Sequence, residues 1–166
     1  MRPNVNYKKK RLFTPLEKTP TGFTAIEILI SVAILAALAI LTFSSFSSLS
    51  QSQILEKESL NVLSAIEKAR SMTLSSEKDS VWGVRFDTDS VVIFKENYSS
   101  GDPDNITIDL NSGVTISSTN LNGGGSSVIF EKLTGETQNF GTTTLRSKIN
   151  STKNIIILST GIAQIK

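Results

Sequence analysis

Twenty-one residues, Phe23 to Phe43, read FTAIEILISVAILAALAILTF, with Glu27 as the single charged side chain and no Pro or Gly. At about 1.5 Å per residue, a helix of this length measures roughly 30 Å, the thickness of a bilayer's hydrocarbon core. The run therefore predicts one continuous membrane-spanning helix over 23–43. Thr24, Ser31 and Thr42 do not weaken it, because hydroxyls bond back to the helix. Glu27 does, because a carboxylate in lipid is costly unless it finds a partner.

The flanking charge gives the run a direction. Residues 1–22 carry six basic side chains (Arg2, Lys8, Lys9, Lys10, Arg11 and Lys18) against Glu17, whereas the remainder holds eleven basic and fourteen acidic ones. A basic head before an apolar span is retained in the cytoplasm, which places the rest outside. The rest is not basic, so a general nucleic-acid-binding role lacks its electrostatic support. The chain has no Cys and no His, which excludes a disulfide framework, a Cys/His metal site and His-based catalysis. The glycine-rich NLNGGGSS (121–127 with Asn120) lacks the Lys and following helix of a phosphate loop and reads as a mobile connection. No catalytic apparatus and no cofactor are expected.

Read from its residues alone, the apolar run admits two ordinary accounts. One is a signal peptide cut after the small-x-small step Ala37-Leu38-Ala39. The other is an uncleaved anchor whose Glu27 reaches back to the interface. Neither accounts for Gly22-Phe23 and Glu27 occurring together.

That combination, TGFTAIEILISVAILAAL, resembles the amino-terminal signature of type IV pilins and type II secretion pseudopilins. The resemblance implies a basic leader, 1–22, cut by a prepilin peptidase between Gly22 and Phe23, with N-methylation of Phe23. It implies that Glu27 is an assembly residue, paired in the filament with the free amino group of a neighbouring subunit. The leader is long for the family. Its Thr14-Pro15 and Thr19-Pro20 steps favour extended chain ahead of the cut.

Beyond Phe43 the helix is expected to continue through the Ser-rich 44–52, a weak helix former that could act as a soft joint. From Gln53, Leu55, Val62, Ile66, Ala69 and Met72 or Thr73 recur at three- and four-residue steps, with Leu63 and Leu74 flanking; Glu56, Lys57, Glu67, Lys68 and Arg70 fall mainly opposite. This predicts an amphipathic helix, 44–80, packed on a core and fading near Ser75 to Ser80. The period then turns alternating. VWGVRF (81–86) and VVIFKE (91–96) predict a hairpin around DTDS; NITIDL (105–110) and VTIS (114–117) predict a second around Asn111-Ser112-Gly113. SVIFE (127–131) adds a strand, and NIIILST (154–160) with IAQIK (162–166) a last hairpin turning at Thr160-Gly161. Seven short strands and one helix predict an α+β chain, with a long amino-terminal helix packed on an antiparallel sheet domain over 81–166. Trp82 is expected in the core.

The order of KARSMTL, VWGVRFD, VIFEKLTGETQN and IIILSTGIAQI resembles the H-type pseudopilins of type II secretion and the FimT-type minor pilins. The resemblance implies the pilin fold, with two sheets or one strongly bent sheet against the second half of the helix. It implies a structural subunit that initiates or tips a type II secretion or type IV pilus filament. Its implied partners are prepilin peptidase, other pilin or pseudopilin subunits and the inner-membrane assembly platform. Its implied location is the bacterial inner membrane, single pass, with an extracytoplasmic globular part that later joins a surface or periplasmic filament. The absence of Cys removes the disulfide that ties the carboxy-terminal loop of many major pilins. The alternative is a DNA-binding minor pilin for DNA uptake.

Three further sets of residues carry candidate chemistry. Asp102, Asp104 and Asp109, in GDPDNITID, are close oxygen ligands of the kind calcium takes, set against a plain solvated turn. Lys148, Lys153 and Lys166 are the candidates for nucleic-acid contact, with Arg146 nearby. Asn97, Asn105 and Asn150 each open an N-x-Ser/Thr triplet, expected to go unused.

Overall fold

A computed structural model describes residues 22–166; the side chains of residues 41–48 lie outside the described residues. All of the expected leader but Gly22 lies outside them too. The chain divides into two compact units, Met1–Ile40 and Leu41–Lys166.

Helix α1, Ala25–Leu74, belongs to both units and is helical throughout, including the Ser-rich stretch. In the first unit every described side chain from Gly22 to Ile40 is exposed. Among the described residues no helix is long and apolar enough to cross a membrane. The apolar run expected to span one, 23–43, ends on side chains that lie outside the described residues.

The second unit is α+β. The stripe of α1 runs as its periodicity predicts: Leu55, Val62, Ile66, Ala69, Met72 and Thr73 are buried, joined by Ala65. Glu58, to which the periodicity assigned no face, is buried at 5% exposure and accepts a hydrogen bond from Asn61 Nδ2 at 3.1 Å. One residue departs from the expected split: Arg70, expected on the solvent side, is half-buried. The helix stops at Leu74. Ser76 takes a left-handed φ of 51° and a single 3-10 turn, Glu77–Asp79, follows. Thr73 ties this corner to the sheet, its hydroxyl accepting from the Trp82 N–H at 2.8 Å.

Eight strands follow: β1 Trp82–Phe86, β2 Ser90–Lys95, β3 Ile106–Asp109, β4 Val114–Leu121, β5 Ser127–Ile129, β6 Gly141–Ser147, β7 Thr152–Ile157 and β8 Ala163–Ile165. They form two antiparallel four-stranded sheets, ordered β3-β2-β1-β5 and β4-β6-β7-β8. The first and last predicted hairpins form, with Gly83 opposite Phe94 and Ile156 opposite Gln164. The predicted second hairpin does not. β3 pairs with β2 and β4 with β6, because the turn at Asn111–Gly113 carries the chain from one sheet to the other. That turn is held by Val114 N–H to Asn111 O at 2.8 Å and Gly113 N–H to Asn111 Oδ1 at 2.9 Å. β6 is an eighth strand. Its GTTTLRS offers one large apolar residue, and its threonines form strand through β-branching rather than alternation.

One hydrophobic core joins the α1 stripe, the first sheet (Trp82, Val84, Ile93) and the second (Leu145, Ile155, Ile157). Trp82 lies in it as expected, at 1% exposure, with its indole N–H donating to Glu77 O at 3.0 Å. Burial of each such side chain contributes about 1.5–3 kcal/mol before entropy is counted. Gly83 is required by close packing: a Cβ there would lie 2.6 Å from both the Phe94 ring and the Val128 carbonyl.

Candidate assembly site and the arginine–glycine node

Gly22, Phe23 and Thr24 precede the helix without regular structure, and Phe23 is 85% exposed. Among the described residues nothing lies within 4 Å of where a Gly22 Cβ would be. Thr24 caps α1. Its hydroxyl accepts from the Glu27 N–H at 3.3 Å, while Glu27 Oε2 accepts from the Thr24 N–H at 3.0 Å and from its hydroxyl at 2.9 Å. This is a reciprocal capping box, which satisfies helix-end donors that would otherwise be bare. The carboxylate also sits at the positive end of the helix dipole. The motif is legible in the sequence as Thr24-Ala25-Ile26-Glu27, a Thr-x-x-Glu spacing. Glu27 is thus aimed at the amino-terminal end of the helix, beside Phe23. The described helix around it is apolar on every side, with Ile26, Leu29, Val32 and Leu35 each more than half exposed.

The candidate calcium residues are not brought together. Asp104 is taken by Lys78, through a close hydrogen-bonded ion pair, with Lys95 at 4.0 Å on its other oxygen. That hydrogen bond holds the Asp104 carboxyl below its ordinary value and the Lys78 ammonium above its own. Asp102 Oδ1 accepts the Asp104 N–H at 2.8 Å, an Asx turn. Asp109 ends β3, opposite Ser90. Among the described residues no group of three His, Cys, Asp or Glu is placed to hold a metal.

The candidate nucleic-acid lysines also separate. Lys153 stands opposite Leu145 and pairs with Glu56 of α1 at 2.7 Å. Lys148 lies in the turn after β6, its N–H donating to Gly113 O at 3.1 Å. Lys166 lies opposite Asn154 and is exposed. Arg146, opposite Thr115 and Thr152, is exposed on the outer sheet face. No strand of that sheet contains an Asp or Glu.

A second constellation joins three segments that lie far apart in the sequence. Arg70, in KARS, donates from Nε to Gly135 O at 3.0 Å and from Nη2 to Thr160 O at 3.4 Å. Gly135, in KLTG, and Gly161, in LSTG, both take left-handed φ, 65° and 74°. A Cβ on Gly161 would lie 1.8 Å from Gly135 O, so only glycine fits. Arg70 thus clamps the end of α1 to the β5–β6 loop and the β7–β8 turn. Beside it opens a pocket of about 350 Å³ between α1 (Glu67, Ser71, Leu74) and Gly161–Ala163. Ile162, which also lines it, is exposed; Leu133 of the β5–β6 loop is 87% exposed, with a left-handed φ of 70°.

No protein-family model, curated protein or solved structure matches the chain.

Proposed function

We propose that the chain is a pilin-like subunit of the pseudopilin or minor pilin kind, with the pilin fold, and that its role is structural rather than catalytic. Its leader is cut between Gly22 and Phe23 by a prepilin peptidase, and Phe23 is N-methylated. The mature helix waits in the inner membrane, with the sheet unit on the extracytoplasmic side, until an assembly platform draws it into a type II secretion or type IV pilus filament, at or near the tip. Glu27 then exchanges Thr24 for the amino terminus of a neighbouring subunit.

One observation carries this reading: the capping box turns the Glu27 carboxylate toward an exposed Gly22-Phe23 step, at the head of an all-round apolar helix. A carboxylate in that place has a chemical reason if cleavage gives each neighbouring subunit a free amine at its own Phe23. The test is the amino terminus of the protein in cells with and without the peptidase. N-methylated Phe23, seen only with the peptidase, supports the reading.

A DNA-uptake minor pilin stands as the second reading. Its support is the carboxylate-free second sheet with Arg146 and Lys166 on its outer face. It requires duplex DNA binding that weakens steeply with salt and is lost in the Arg146→Ala/Lys166→Ala protein.

A further inference from the structure

Among the described residues β8 is an edge strand without the devices that guard the other three edges. β4 carries a bulge between Ile116 and Ser118, β3 ends in Asp109, and on β5 the Ile129 carbonyl already accepts from the Thr137 hydroxyl at 2.7 Å; each discourages pairing. β8 has none of these, and contains no charge and no Pro.

Its hydrogen-bond phase follows from its one neighbour. Asn154 and Lys166 exchange both backbone bonds, at 3.2 and 2.8 Å, and Leu158 N–H donates to Ile162 O at 2.9 Å. Residues 162 and 166 therefore point their backbone groups at β7. Ala163 and Ile165, alternating with them, point theirs away. Neither makes a backbone bond to another described residue.

We propose that a second copy of this chain pairs with β8, antiparallel and two-fold symmetric about Gln164. This alignment joins Ala163 to Ile165 of the other copy and Ile165 to its Ala163. All four outward N–H and C=O pairs on these residues are then satisfied; an alignment centred on 163 satisfies fewer, because it sets Ile165 against Gly161, whose N–H already donates to Leu158 O at 2.9 Å. The side chains fit the same alignment. On the outer face Gln164 meets Gln164, amide to amide, and Ile162 lies over the aliphatic stem of Lys166. The two lysines stand at opposite ends, so no like charges face one another. On the inner face the half-buried Ile165 stands beside the small Ala163, next to the 350 Å³ pocket lined by Gly161, Ala163, Ser71 and Leu74. An isologous contact of this kind makes one eight-stranded sheet from two four-stranded ones. It stands independently of the filament reading.

The chain contains no cysteine, so a single introduced one reports cleanly. In the proposed pairing the two Gln164 residues form a non-hydrogen-bonded pair with Cα atoms about 4.5 Å apart, within disulfide range. The experiment oxidises the full-length Gln164→Cys chain in detergent, with Asn154→Cys, one strand inward on the same face, as the comparison. The expected result is a disulfide dimer from Gln164→Cys, none from Asn154→Cys, and loss of the dimer when Ile165→Pro is added. A monomer from Gln164→Cys, or equal dimer from both, overturns the proposal. The unsubstituted chain gives a second reading that does not depend on any variant folding. Exchange at the Ala163 and Ile165 amides is expected to slow by about tenfold or more as protein concentration rises; exchange independent of concentration overturns the pairing.

Discussion

Gly161 lies so close to Gly135 that a Cβ on the first would stand 1.8 Å from the carbonyl oxygen of the second. The turn of the last hairpin and the β5–β6 loop touch backbone to backbone, and both residues hold left-handed φ. Gly161→Ala is therefore expected to cost at least about 2 kcal/mol, from strain and from displacement of the loop together. Urea unfolding of the full chain checks this. Gly124→Ala is the comparison: φ there is 74°, with no atom near the added Cβ, so it pays only the backbone strain.

Arg70 donates to both of those turns, and a lysine cannot bridge two carbonyls in that fork geometry. Arg70→Ala is expected to lower stability by about 1–2 kcal/mol, and Arg70→Lys by most of that amount. Amide exchange should quicken at Thr137 and Gly161, whose N–H groups donate to Ser159 O and Leu158 O within the clamped turns. Unchanged exchange at both would mean that Arg70 merely rests on the surface.

Thr24→Ala removes both of the residue's hydroxyl bonds to Glu27 and is expected to cost about 1 kcal/mol of local helix stability, whereas Thr24→Ser retains most of it. The readout is amide exchange over the first turn of α1.

The ion pairs give stability a pH dependence of predictable sign. Hydrogen bonds from Lys132 and Lys78 hold the Asp79 and Asp104 carboxyls below their ordinary values. A carboxyl lowered on folding contributes stability that is complete above about pH 4, its unfolded value, and is lost as pH falls through the lower folded one. Lys78 is raised by Asp104, so its contribution is complete below its unfolded value, about 10.4, and is lost as pH rises through the folded one. The unfolding midpoint should thus fall on the acid side below pH 4 and on the alkaline side above about 10.4. The slopes should flatten in high salt, since these groups face solvent. Asp104→Asn should remove part of both limbs.

Much of this fold is legible in residue order where a local period exists. The Leu55–Val62–Ile66–Ala69 stripe announces its element because one face of the helix is buried and the other is not, whereas Val81–Phe86 and Val91–Glu96 announce theirs as short runs of β-branched and aromatic residues, buried on both faces in β1 and β2. β6 is silent to that test: Thr142, Thr143 and Thr144 face alternate sides with the same side chain. The parting of β3 from β4 is illegible for another reason, since strand partners are chosen by contacts distant in sequence while the Asn111–Gly113 turn looks like any hairpin turn. Gly22, Phe23 and Glu27 stand out as a pattern, whereas the Thr24–Glu27 box that orients the carboxylate needs the spacing read as a cap. Arg70, Gly135 and Gly161 are each visible in a short motif. Their meeting is not, because it is made by folding over 65 residues in the Arg70–Gly135 bond and 90 in the Arg70–Thr160 bond.

The central claim is that Glu27 serves a new amino terminus at Phe23. Intact-mass and terminal-peptide mass spectrometry of the protein, from cells with and without the prepilin peptidase, tests it most directly. The account predicts a chain beginning at N-methylated Phe23 only where the peptidase is present. A chain beginning at Met1, or at Ile40, in both would contradict it.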